Sequence, residues 1–445
     1  MVIVITRRTF SMPILKHALA FSLVLFFLQQ TLFAQEEEKQ PRDSCVWCHL
    51  ENEEEPDEPA HAMQEDIHAE NGLSCVDCHG GDAGLGFDED EDAAMDPAKG
   101  YIGAPEKKDI PRFCARCHSD PDYMRRFNPR VATDQYDRYK TSVHGQLLIR
   151  GDEKVATCTD CHGAHGVLSF KDPRSPVYAL NIPATCGKCH ADREYMAGYR
   201  VAKDVVEEYK KGVHGITLLE KGDQAAPACN DCHGNHGAVP PGIPAIGFVC
   251  GQCHLNNSEL FAESPHKQAF AEEELPECET CHDNHAIEHP TDAMLGTGEE
   301  SICMDCHEEG SDGYRIAEVL YVKIDSLKLR LSAADSLLQV ARKAGMEVSE
   351  PLYQLNEANQ FLIQGRTMIH SLSEGKVDSL TARGIGLAIE AYEQGLQAID
   401  ELQFRRKGLA VSLVFILLLA LGLYLKIREI DSRTVFREEE VRVTE

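Results

Sequence analysis

One pentapeptide constrains this chain more than any other feature. Cys-x-x-Cys-His occurs nine times, as Cys45-Val-Trp-Cys48-His49, Cys75-Val-Asp-Cys78-His79, Cys114-Ala-Arg-Cys117-His118, Cys158-Thr-Asp-Cys161-His162, Cys186-Gly-Lys-Cys189-His190, Cys229-Asn-Asp-Cys232-His233, Cys250-Gly-Gln-Cys253-His254, Cys278-Glu-Thr-Cys281-His282 and Cys303-Met-Asp-Cys306-His307. The 445 residues hold 18 cysteines, so none is left over. Residues 35–312 are otherwise rich in Gly, Pro, Asp and Glu, with few long periodic apolar runs. A chain of that composition cannot build a conventional core alone.

Three chemistries use paired cysteines. A disulfide framework places no demand on the residue after each second cysteine. Zinc ribbons use paired Cys-x-x-Cys but do not require that histidine nine times in nine. Covalent attachment of haem c requires all three residues: two thiols form thioethers to the porphyrin, and the adjacent histidine ligates the iron from one face. The sequence therefore predicts nine haem c groups, with His49, His79, His118, His162, His190, His233, His254, His282 and His307 as proximal ligands. Haem faces then supply the missing apolar surface, and the haem-free protein is expected to be largely unfolded.

These motifs resemble those of the multihaem c-type cytochromes of the class III, cytochrome c3-like kind, and the resemblance spans residues 45–307. It implies haem attachment outside the cytoplasmic membrane and a mostly irregular or short α-helical chain wrapped around a close-packed haem array.

Eleven histidines lie outside the motifs. His17 falls in the leader and His370 in a separate helical region. The other nine, His61, His68, His144, His165, His214, His236, His266, His285 and His289, match nine irons in number and are expected as distal ligands. Cys158, Cys229 and Cys278 each have a histidine 12 to 15 residues upstream, at His144, His214 and His266. Each also has one three residues after its proximal histidine, at His165, His236 and His285. The unit His…Cys-x-x-Cys-His-x-x-His…Cys-x-x-Cys-His is thus repeated three times, and internal duplication of a two-haem unit is the simplest description. A degenerate copy precedes it, led by His61 or His68, with Asp82 at the trailing position. A histidine three residues beyond a proximal ligand cannot reach the far face of its own haem, so it must serve a neighbour. His370 could instead reach back to the last haem, which would leave one of His61, His68 or His289 spare.

The ends of the chain address it to a membrane. Arg7, Arg8 and Lys16 precede an apolar run from Ala18 to Leu28 and a small residue at Ala34, reading as a secretory signal peptide over 1–34, with an uncleaved anchor as the alternative. Gly408 to Leu425 is an apolar stretch of 18 residues bracketed by Arg405, Arg406, Lys407, Lys426 and Arg428. At ~1.5 Å per residue it spans roughly 27 Å, about one bilayer core. Between haem region and span, Ile316, Val319, Leu320, Ile324, Leu327 and Leu331 recur at helical spacing, as do Leu380, Ile385, Leu387 and Ala391. The expected architecture is a nonahaem domain at 35–312, an all-α antiparallel helical stalk at 313–407, one transmembrane helix at 408–425 and a cytoplasmic tail at 426–445.

The formal net charge of −29 excludes nucleic-acid binding driven by phosphate neutralisation. Residues 35–99 alone hold 21 Asp and Glu against three Lys and Arg, a docking face for a basic redox partner or a solvated loop. The expected function is a single-pass cytochrome of the cytoplasmic membrane, its haems in the periplasm, relaying electrons from a quinol-oxidising membrane partner to periplasmic acceptors. Bis-histidine ligation leaves no open iron for bond chemistry. The alternative is a multihaem reductase or dehydrogenase of nitrogen or sulfur compounds, which would need one haem with a free face.

Overall fold

The computed structural model describes residues 43–51, 58–85, 91–201, 204–240 and 243–443. The signal peptide expected at 1–34 lies outside them, as do the acidic residues 53–55 and 88–90. Secondary structure among the described residues is helical throughout, with no strand. Up to His307 the helices are short, nine residues at most; beyond it three long ones follow.

Local chemistry explains the one-turn helices at the motifs. In the Cys75–His79 and Cys158–His162 helices the residue before the first cysteine, Ser74 or Thr157, caps the turn, and the aspartate two residues after that cysteine reaches back. The amides of Ser74 and Thr157 donate to Asp77 and Asp160 at 2.7 Å, and the Ala228 amide donates to Asp231 at 2.8 Å. Such a capping box satisfies amide donors that a five-residue helix cannot satisfy itself. Gly80, Gly163 and Gly234 then end the turns at φ of +71°, +83° and +78°, a conformation open to glycine at little cost. In the last copy Asp283 takes that place at φ +63°, which aspartate tolerates better than most residues. In the last three copies the chain so turned delivers the histidine three positions beyond the proximal one, at His165, His236 and His285.

The chain forms two compact units, 1–189 with 234–239, and 190–233 with 240–445. The second half of the motif region thus belongs to the same unit as the long helices. In this second unit the helices Asp312–Lys343, Ser349–Met368 and Glu374–Val443 pack as an antiparallel bundle. The first descends, the second returns, and the third runs down again beyond both. Leu320, Ile324, Leu327, Ala334, Leu338, Ala358, Phe361 and Val377 fill the bundle interior, and the cluster of buried apolar side chains lies wholly within it. Gly384 lets Leu327 and Phe361 close in, since a Cβ there would stand 2.9 Å and 3.0 Å from them.

Past residue 402 the third helix leaves its partners. Its window of 18 apolar residues has no buried portion, which is opposite to a soluble core helix. Length and composition let it cross a membrane.

Candidate metal centres

The short helices bring the histidines together in pairs. In the first unit ring centroids lie 5.9 Å apart for His68 and His118, 6.0 Å for His79 and His165, and 6.1 Å for His162 and His236. In the second unit the distances are 6.2 Å for His214 and His254, 6.0 Å for His233 and His285, 5.9 Å for His266 and His307, and 6.1 Å for His282 and His370. Each pair joins one motif histidine to one outside the motifs. Six are within 28° of parallel, and only His68 and His118 cross, at 82°. Two metal–imidazole bonds of about 2 Å plus two ring radii span roughly 6 Å, so the spacing fits one iron between each pair of rings. Among the described residues no group of three or more His, Cys, Asp or Glu is arranged to hold a metal ion; the donors come two at a time.

Three of these rings also have a fixed tautomer. His68 Nδ1 meets the Asp66 carboxylate at 2.8 Å, His79 Nδ1 the Gly103 carbonyl at 2.8 Å, and His370 Nδ1 the Thr367 carbonyl at 2.9 Å. Those oxygens only accept, so Nδ1 donates and Nε2 keeps its lone pair for a metal, the usual outer-sphere arrangement for ligating histidine. Burial holds His118, His162, His214, His236, His266, His282 and His285 below the ordinary imidazole range. The neutral form is the one that can ligate.

A single rule orders the pairs. The leading histidine of a repeat faces the second motif of the same repeat, as His214 faces His254 and His266 faces His307. The trailing histidine faces the first motif of the repeat before it: His165 faces His79, His236 faces His162, and His285 faces His233. Backbone hydrogen bonds hold this exchange. The amides of Ile67, Val143 and Val213, each one residue before a leading histidine, donate to the carbonyls of Val167, Ala238 and Ile287, each two residues after a trailing one, at 2.8, 3.0 and 2.7 Å. His144 occupies in its repeat the place His214 occupies in the next.

Asp66 distinguishes the degenerate copy. It is 1% exposed and takes the cap position held by Ser142, Gly212 and Ser264 in the other copies. It accepts from the amide and ring of His68 and from the Val167 amide. Burial pushes its carboxyl up, yet these hydrogen bonds hold it below the usual carboxylate range. A carboxylate on Nδ1 makes the imidazole a stronger donor. Asp66→Asn is accordingly expected to raise the midpoint of a single haem, a shift that a redox titration resolves, while haem content stays unchanged.

Successive motifs are neighbours. Cys45 lies beside Cys75, Cys114 beside Cys158 and Cys250 beside Cys278. Cys78 lies near Cys117, Cys161 near Cys186, Cys232 near Cys250 and Cys281 near Cys303. No disulfide joins any of these cysteines. Within each unit the attachment points therefore follow one another in sequence order.

Residues 67–191 match the cytochrome c3 family model, and residues 268–312 match the doubled CXXCH motif. The chain is a multihaem c-type cytochrome. This cytochrome is also 25% identical over 281 residues to the multiheme cytochrome MtrA of Shewanella baltica (strain OS185), covering 61% of the chain and 67% of that relative. No solved structure matches it. The expected fold class, short helices around haem sites followed by long helices and one apolar span, agrees with the family model and the structure.

Not every expected ligand stands in a pair. His61 is exposed on the Glu58–Met63 helix. His289 is exposed, its Nδ1 3.1 Å from the Pro290 carbonyl, and meets no other histidine ring among the described residues. His370 meets His282 and not the last motif histidine, His307, whose ring faces His266.

Proposed function

We propose that this cytochrome carries nine covalent haems, all with two histidine ligands, and relays electrons between a quinol-oxidising membrane partner and periplasmic acceptors. The observation that carries this reading is the seven histidine pairs at iron-spanning distance. Haem c supplies a one-electron Fe(III)/Fe(II) couple, whose potential bis-histidine ligation keeps low relative to His/Met sites. The chain's own part is to hold consecutive attachment sites in contact and to cover both faces of each iron. For the motif histidines His49 and His190 the candidates are His61, His144 and His289.

The bundle bears on the choice of donor. The third long helix is continuous from Glu374 to Gly408, a rise of roughly 50 Å at ~1.5 Å per residue. His370 lies just before its upper end, and electron tunnelling decays exponentially with distance. A carrier dissolved in the bilayer could not reach a site at that height, so the haem beside His370 would take its electrons from a neighbouring haem or a redox protein. The relative's name supports electron transfer by a multihaem chain and says nothing of this route.

Truncation ahead of Gly408 is expected to release a soluble protein that keeps all its haems, checked by membrane fractionation and intact mass. Membrane association that persisted would place a second anchor at the N-terminus. The relay reading itself is tested by redox titration: several overlapping low midpoints are expected. A haem whose potential moves on adding nitrite, hydroxylamine or sulfite would support the enzymatic alternative instead.

A further inference from the structure

The pairing rule leaves one motif without a supplier. The first motif of each repeat takes its second histidine from the repeat that follows, and the repeat containing Cys278–His282 is the last. No Cys-x-x-Cys-His follows His307 in the sequence. We propose that His370, on the turn between the second and third long helices, is the second axial ligand of the haem attached at Cys278 and Cys281, so that the bundle takes the place of a missing repeat. The inference rests on the haem reading above and deepens it.

Four observations carry it. The His282 and His370 rings are 6.1 Å apart and 27° from parallel, within the range of the other pairs. The His370 Nδ1–H is committed to the Thr367 carbonyl, as a ligating ring requires. The turn itself is held rigidly. His370 sits in the Ile369–Ser371 3₁₀ turn, closed by Leu372 at φ +51°, and the Ser371 hydroxyl is buried and donates to the Met368 carbonyl at 2.7 Å. A leucine in the left-handed region is strained, so the surrounding packing must fix this conformation. Finally, the motif region is clamped to the bundle beside the turn. Asp292 accepts two hydrogen bonds from Arg366 at 2.8 Å and pairs with Lys328 at 3.0 Å, while Glu263 meets Lys376 at 2.6 Å. The bidentate Arg366 contact, with Asp292 only 11% exposed, is the geometrically specific kind.

The consequence is that the anchored bundle completes the haem array and does not merely carry it. Loss of the bundle's turn opens one iron, and no other.

The test uses the full-length, detergent-solubilised cytochrome and its His370→Ala variant, compared by low-temperature EPR and magnetic circular dichroism. Haem content by intact mass and helix content by far-UV circular dichroism serve as folding controls. One ferric haem of His370→Ala is expected to turn high-spin and to return to low-spin on adding imidazole. Should His370→Ala fail to fold, His370→Met decides the matter: one haem must acquire the charge-transfer band of methionine ligation. If His370→Ala keeps the wild-type spectrum, or if His370→Met shows no such band, the assignment is wrong. A high-spin haem already present in the wild type would count against the relay reading. A fully low-spin wild type with an unaffected His370→Ala would sink only this inference.

Discussion

Methionine in place of His236 raises the midpoint of one haem, that of Cys158 and Cys161, by on the order of 0.1 V or more within the ~0.8 V that axial ligation spans. His236 and His162 are the most nearly parallel pair, 8° apart at 6.1 Å. The segment that carries His236 is pinned by the Val143 amide on the Ala238 carbonyl, so a substitution of the ring leaves its backbone in place. A thioether is a softer donor than imidazole and favours the ferrous iron, hence the upward direction. The cysteines are untouched, so haem content is expected to match that of the wild type. Because that haem stands in the interior of the first unit's series, raising its potential places a trap on the path, and steady electron transfer through the protein should slow. A spectroelectrochemical titration resolves one midpoint moving away from the rest. Midpoints identical to wild type would remove His236 as a ligand.

Preventing haem attachment has the largest structural effect. The apolar cluster that can hold the chain together without cofactor lies in the three long helices and the connection between the first two. In the motif region the buried apolar side chains are scattered, such as Leu148, Val155, Leu218 and Phe270, and they cannot offset the conformational entropy of ordering some 270 residues. The haem-free chain is therefore expected to keep the helicity of residues 312–402 and to lose order before them. Limited proteolysis should trim it to a fragment beginning near Asp312, whereas the haem-loaded protein should resist. A haem-free chain protected from end to end would show that the motif region folds by itself.

The motifs were legible because attachment chemistry fixes three residue types at fixed spacing, and no other paired-cysteine chemistry asks for the histidine. The long helices were legible from their period, with Ile324, Leu327 and Leu331 falling on the buried face. The second ligands were harder, since any histidine is a possible donor. Sequence left His61 and His68 both open as leader of the degenerate copy, and the ring that meets His118 is His68. The better signal is the helix cap two residues ahead of the ligand. Asp66-Ile-His68 aligns with Ser142-Val-His144, Gly212-Val-His214 and Ser264-Pro-His266, because the capped turn aims the ring. His370 could have been found from the exchange rule, which demands a donor after the last repeat, but the rule itself shows only once the pairs are seen. The two-unit division had no local signal. Segment 234–239 belongs to the first unit, where His236 meets His162, and long-range exchange of this kind leaves no mark in composition or period.

The central claim is that every iron is closed on both sides by histidine. Low-temperature EPR with magnetic circular dichroism on the oxidised, full-length cytochrome tests it most directly. Nine low-spin ferric haems with bis-histidine signatures are the expected result. A high-spin or ligand-exchangeable haem in the wild-type protein would contradict it and give the molecule an open iron on which to do chemistry.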